Sequence, residues 1–227
     1  MIGTSLLTIF FRTDAAWVLL VALQFGLAIV VLAHATHGGQ INCAVTLTLC
    51  VSGALPWAQG ALNFIAQMLG SVTGALLLRA TMGRKNKDGR DSTGTLGSNS
   101  VSEDFSARNA LVAEFVLTAL LLHVVMQTCV NARSTAGTAA PLAVGLAVFL
   151  AHVVLIPIDG CSINPTRSFG PALVSNTFDD HYVFWVAPLA AAGVVGLAYR
   201  LLGIAKTPEP PTESNRKASE MRLGSSF

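Results

Sequence analysis

Two short segments carry the residues whose types and spacing could do chemistry. Residues 38–46 read Gly-Gly-Gln-Ile-Asn-Cys-Ala-Val-Thr, and residues 160–168 read Gly-Cys-Ser-Ile-Asn-Pro-Thr-Arg-Ser. Each runs through small and polar residues to Ile-Asn and then turns apolar. An Asn ahead of a short apolar run is a helix N-cap, and Pro at the next position is a favoured first helical residue. The first amide N–H groups of a helix have no intrahelical partner. The side-chain carbonyl of Asn42 or Asn164 can accept from them, which leaves each amide NH2 facing outward as a donor. The chemistry on offer is hydrogen bonding and electrostatics. A helix start carries positive dipole charge, and Arg167, three residues after Asn164, adds a full charge. No nucleophile, base and orienting group fall in one plausible site, so an enzyme is not expected. The four cysteines, Cys43, Cys50, Cys129 and Cys161, form no pair or His/Cys cluster with zinc spacing, so no cofactor or metal is expected. They read as buried thiols, with Cys50 and Cys129 as inert packing.

The elements that must position these segments are membrane helices. Of 227 residues, 52% are hydrophobic and 11% charged, against about 25% charged in an average soluble domain. Mean hydropathy is +0.61. This excludes a disordered chain and argues against an ordinary soluble domain. A net charge of +2 supplies no footprint for nucleic acid. A membrane span needs roughly 20 mostly apolar residues, and five stretches qualify: 15–33, 54–78, 109–130, 139–158 and 182–204. A sixth run, Met1–Phe11, is too short to cross and lacks the basic start of a signal peptide. It reads as the back half of a helix whose front half is missing.

One Asn segment follows the second apolar run and the other follows the fifth. Each is too short to span, so each would be a half-helix. An odd number of spans separates them, so they enter from opposite sides, the logic of an inverted repeat built from broken helices. The expectation is an all-α membrane protein with a single membrane domain over 1–204. Residues 1–80 form the first repeat, 83–107 an aqueous connecting loop and 108–204 the second repeat. The tail, 205–227, with Pro208, Pro210 and Pro211, reads as disordered. Arg216-Lys217-Ala218-Ser219 within it reads as solvated tail rather than a kinase site. Lys and Arg divide six against seven between the two faces, Arg167 apart, so charge does not set the orientation.

Further pieces fall in order along the chain. Ala66-Gln67-Met68-Leu69-Gly70 precedes Ala113-Glu114 with Thr118, and Phe178-Asp179-Asp180-His181 leads to Phe184-Trp185 and Pro188. With the paired Asn segments, this ordered set resembles the aquaporins of the major intrinsic protein family, from about residue 2 to 203. Any one piece is weak; the set is specific. The chain departs from the family's paired Asn-Pro-Ala boxes at two points: Cys43 stands for the first Pro, and Thr166 for the second Ala. Thr4 matches a family Thr whose Glu partner would fall one residue before Met1, so the first helix reads as truncated. The stretch from Phe25 to Asn42 is also a few residues short.

The resemblance implies a right-handed bundle of six transmembrane helices, the first incomplete, with two re-entrant half-helices. It implies a passive channel that conducts single-file water and excludes protons and ions. The channel would sit in a lipid bilayer, which membrane being unspecified, as a homotetramer with one pore per subunit. Asn42, Asn164, Cys43 and Pro165 would lie at the pore centre. Arg167, His152 (nine residues before Cys161), Cys161 and the opposing aromatic Phe25 would form the selectivity filter. Ser168, Ala172, Phe184 and Trp185 match the water-conducting type. Glu114 reads as a structural buried carboxylate holding loop N–H groups. Alternatives are a channel for another small neutral solute such as glycerol, urea or hydrogen peroxide, and a non-conducting truncated relative. A coupled transporter ranks lower, since Glu114 is the only strong candidate for an ion-coupling carboxylate. His34 and His37 read as mouth residues, His123 as packing, His181 as a surface hydrogen-bonder, and the Gly70/Gly74 pair as core packing.

Overall fold

The computed structural model describes residues 16–82, 91 and 93–204; the run Met1–Phe11 and the tail 205–227 lie outside the described residues. Helix α1 is Trp17–Ala35, α2 Cys43–Ser52, α3 Trp57–Met82 and α4 Ala107–Val125, which continues in a π turn, Met126–Val130. A 3-10 turn, Gly137–Ala139, leads into α5, Ala140–Asp159; α6 is Pro165–Ser175 and α7 Val183–Leu201. Among the described residues α1, α3, α4, α5 and α7 are long and apolar enough to cross a membrane. The two Asn segments open the short helices α2 and α6, as the half-helix reading expects.

The spans are small inside and large outside. On α1, Leu19, Leu23, Leu27 and Val31 recur every four residues and are exposed. On α5, Leu142, Leu146, Leu150 and Val154 do the same. The buried cluster is rich in alanine: Ala22, Ala44, Ala147, Ala151, Ala191 and Ala192. Lipid tails are as apolar as leucine, so leucine gains nothing by turning inward, whereas small residues let helices approach closely.

Packing follows the inverted repeat. Half-helix α2 lies on α7, the last span, and α6 lies on α3. Spans α1 and α5 cross back to back at two glycines. A Cβ on Gly145 would fall 2.6 Å from the Gly26 carbonyl oxygen and 2.3 Å from Val30 Cγ2. Gly145→Val should therefore push these helices apart, at a cost of about 1–3 kcal/mol or more. The reading is the thermal midpoint in detergent; a parent-like midpoint would contradict this crossing.

Three expectations are corrected. A Cβ on Gly70 or Gly74 meets nothing within 4 Å among the described residues, so this pair does not pack the core there. Cys129 is exposed, unlike the other three free thiols. The connecting loop is not simply aqueous: Asp91, Leu96 and Asn99 are buried. Asp91 Oδ1 accepts from Thr93 N and Oδ2 from Leu96 N, and Thr93 Oγ1 accepts from Gly97 N. Short polar side chains can satisfy backbone donors locally, which lets this segment fold inward. Its composition reads the same whether the partners are backbone groups or water.

Candidate functional site

Both half-helices start from the same geometry. Asn42 (φ −150°, ψ 117°) and Asn164 (φ −161°, ψ 99°) are extended N-caps. The residues before them, Ile41 and Ile163, have φ of 54° and 44°. A β-branched side chain rarely enters this left-handed region, and such strain persists only where the surroundings over-determine it. Here they do. Ser162 N and Ile163 N donate to the two carboxylate oxygens of Glu114, the latter at 2.6 Å. Asn42 Nδ2 donates to Ile163 O at 2.9 Å, and Asn164 Nδ2 donates to Ile41 O at 2.9 Å. Each asparagine thus braces the strained residue of the opposite repeat.

The caps themselves are unequal. Asn42 Oδ1 accepts from Ala44 N at 2.9 Å, as expected. Asn164 Oδ1 has no hydrogen-bond partner among the described residues, so the side-chain cap expected there is not made. Nor is either NH2 wholly free: one hydrogen of each goes to the facing Ile carbonyl.

One cavity lies at this junction, and a second shares two of its lining residues. A mouth cavity of about 670 Å3 is lined partly by the connecting loop, with Thr93, Gly97 and Glu103, and by Phe25 and Arg167. A narrow cavity of about 60 Å3 is lined by Asn42, Asn164, His152, Phe25 and Arg167, with apolar walls such as Leu121 and Val144. Phe25 and Arg167 line both, so they mark the boundary between the wide space and the narrow one. The Phe25 and His152 rings stack with centroids 4.0 Å apart. Arg167 Cζ sits 5.1 Å from the Phe25 centroid, at cation–π range. Arg167 Nη1 donates to Gly97 O at 2.8 Å and Nη2 to Gly160 O at 3.4 Å. His152 Nδ1 lies 2.8 Å from Val148 O. A carbonyl only accepts, so Nδ1 carries the hydrogen, and Nε2 of the neutral ring is an acceptor. The constriction thus combines cationic donors, one acceptor and an aromatic face.

The profile of the Major intrinsic protein family matches residues 2–199. The chain belongs to the major intrinsic protein family. "Probable aquaporin TIP3-2" of Oryza sativa subsp. japonica is 37% identical over 204 residues, covering 85% of this chain and 73% of that protein. "Aquaporin-5" of Sus scrofa is 38% identical over 186 residues, covering 80% and 68%. The X-ray structure of the aquaglyceroporin from Plasmodium falciparum superposes with a TM-score of 0.69 at 21% identity, covering 88% of this chain and 91% of that one. That likeness shows the shared fold. As a major intrinsic protein with five membrane-capable helices among its described residues, the chain is an integral, multi-pass membrane protein of a channel family rather than of an enzyme family.

Within this major intrinsic protein the structure brings Phe25, His152, Arg167, Asn42 and Asn164 together. Cys43, Cys161 and Pro165 are buried beside them but are not among the residues lining either cavity. Cys161 N donates to Asp159 Oδ1 at 2.9 Å. Sequence reasoning missed several supports. Buried Asn99 donates to Asp159 O and accepts from Ser168 Oγ, tying the loop to α5 and α6. Gln67 Oε1 accepts from Thr166 Oγ1. A signal for Gln67 existed: Gln59, Asn63, Gln67 and Ser71 recur every fourth residue of α3, a polar stripe on an apolar helix. His123 hydrogen-bonds Tyr199 Oη at 2.9 Å. His34 and His37 line a separate cavity of about 480 Å3 beside Cys129. His181 corrects its expectation. Its ring packs against Phe178, Phe184 and Trp185, and neither ring nitrogen has a hydrogen-bond partner among the described residues. Burial there holds its pKa below the usual histidine range.

Proposed function

We propose that this chain is a passive water channel that excludes protons and ions. Residues 1–204 act as one channel domain, with repeats over 1–80 and 108–204, assembled as a homotetramer with one pore per subunit. The observation that carries the reading is the Phe25–His152–Arg167 cluster at the boundary between the two cavities.

A solute entering the narrow cavity must shed hydrating water. Arg167 supplies donors and His152 Nε2 an acceptor, so a water molecule recovers the hydrogen bonds it loses. Phe25 closes the third side with an aromatic face that offers a solute's carbon skeleton no room to replace the hydrogen bonds water makes there, and this disfavours glycerol. Deeper in, Asn42 and Asn164 each retain a second amide hydrogen. A water oxygen accepting from both has its own hydrogens turned outward along the pore, so it does not relay a proton through the centre. Both half-helix dipoles place their positive ends there, opposing cations. The apolar walls make no hydrogen bonds and leave the file its own neighbours as partners.

The test is solute discrimination in proteoliposomes by stopped-flow light scattering. Under an impermeant osmolyte, shrinkage should be much faster than in empty liposomes; under a glycerol gradient, re-swelling should match empty liposomes. Fast re-swelling would reassign the chain to a small-solute channel. No acceleration in either arm would make it a non-conducting relative.

A further inference from the structure

The two departures at the pore centre answer one another. In the inverted repeat, Cys43 opens α2 where Pro165 opens α6, and Thr166 is second in α6 where Ala44 is second in α2. Pro165 brings no N–H to the junction, whereas Cys43 brings one. That group belongs to the first turn, so it has no intrahelical acceptor, and Cys43 is only 3% exposed. Its N–H lands on Thr166 Oγ1 at 3.2 Å. In the symmetry-related place Pro165 has no donor and Ala44 no acceptor, so nothing is left over on either side.

The hydroxyl is used twice. It accepts from Cys43 N and donates to Gln67 Oε1 at 3.1 Å. Gln67 Nε2 then donates to Thr46 Oγ1 at 2.8 Å, and Thr46 Oγ1 to Gln40 Oε1 at 2.6 Å. This chain ties α6 and α2 to one face of α3. We infer that Cys43 and Thr166 are a matched pair and that Thr166 is a positioning residue. Its hydroxyl takes up the amide hydrogen that a proline would lack. It thereby fixes the first turn of α2, and with it Asn42, against α6.

The backbone makes the inference testable. Asn42 already has the extended conformation that a residue before proline adopts, as Asn164 does before Pro165. Thus α2 itself accepts proline at position 43. Thr166 is what forbids it, because the ring's Cδ would stand where the N–H now points, into the hydroxyl.

The experiment is a double-mutant cycle read by thermal midpoint in detergent, with proton leak and water flux measured in the same proteoliposomes. Thr166→Ala leaves a buried N–H unpaired, and Cys43→Pro drives a methylene into the hydroxyl. Each should lower the midpoint by about 3–8 °C. The combined variant removes the unpaired N–H and the clash, leaving only Gln67 Oε1 without its Thr166 donor, and should melt above either single variant, so that Cys43→Pro changes sign with its background. Thr166→Ser, which keeps the hydroxyl, should retain the parent midpoint and leak. Thr166→Val, which keeps the shape, should lose the midpoint and raise the leak several-fold relative to water flux. Additive losses in the cycle, or a parent-like Thr166→Val midpoint, would overturn the pairing; an unchanged leak in Thr166→Val would overturn the positioning role. Should a single variant yield no folded protein, recovery in the combined variant supports the pair and continued failure overturns it. The thermal cycle does not depend on which solute permeates, so failure of the water-channel reading would show separately, in the parent's own shrinkage rate.

Discussion

Glu114→Gln should be strongly destabilising and should abolish conduction. Glu114 is fully buried on α4, and its two oxygens accept from Ser162 N and Ile163 N across the junction with the second half-helix. Glutamine is the same shape but carries one acceptor and an NH2, so one backbone N–H would face another donor. The lost bond to a carboxylate and the opposed donors together cost about 3–5 kcal/mol, a large share of a typical stability of about 5–15 kcal/mol. The damage reaches the pore because Ile163 is the residue whose carbonyl receives Asn42. With one of the two carboxylate acceptors gone, Ile163 is held at its positive φ chiefly by the single bond from Asn42, and that brace loses its anchor. The expected result is a fall in thermal midpoint of about 6–20 °C together with loss of water flux. A variant that melts and conducts like the parent would show that the junction is held by packing instead.

The second large effect is on selectivity. Arg167→Ala should leave the fold largely in place and open the constriction. It removes the guanidinium from over the Phe25 ring and from the Gly97 and Gly160 carbonyls. Those carbonyls border the mouth, where water can replace the lost donors. Glycerol uptake should rise by about tenfold or more, the equivalent of roughly 1.4 kcal/mol of barrier, and cation leak should rise with the loss of the fixed positive charge. Water flux should stay high. The measurement is parallel uptake of water, urea and glycerol in vesicles normalised for protein. Unchanged exclusion of the larger solutes would place the narrow point elsewhere, away from Phe25 and His152.

The parts legible in the sequence are those written as local pattern. The spans follow from runs of apolar residues, the half-helices from Ile-Asn before a short apolar stretch, and their opposition from the odd number of spans between them. Arg167 and Glu114 stand out because charge is expensive in an apolar chain. What stayed hidden depends on partners distant in sequence. The brace from Asn42 to Ile163 spans 121 residues and that from Asn164 to Ile41 spans 123. No local rule reports that the NH2 groups spend a hydrogen on one another's repeat. The loop residues Gly97 and Asn99 read as solvent-facing because their composition is that of any polar loop. Only the fold shows that Gly97 O receives Arg167 and that Asn99 donates to Asp159 O. Cys43 and Thr166 were each visible as a departure, but their relation depends on the inverted repeat bringing the second position of one half-helix to the first of the other.

Under the proposed function, a narrow aqueous path crosses this chain between the two braced half-helices. The most direct measurement is the temperature dependence of osmotic shrinkage in proteoliposomes containing the chain. Shrinkage is expected to be fast, with a temperature dependence well below that of the same lipid without protein, because water moving through a lined pore trades one hydrogen-bond partner for another. Shrinkage as slow and as steeply temperature-dependent as in empty vesicles would contradict it.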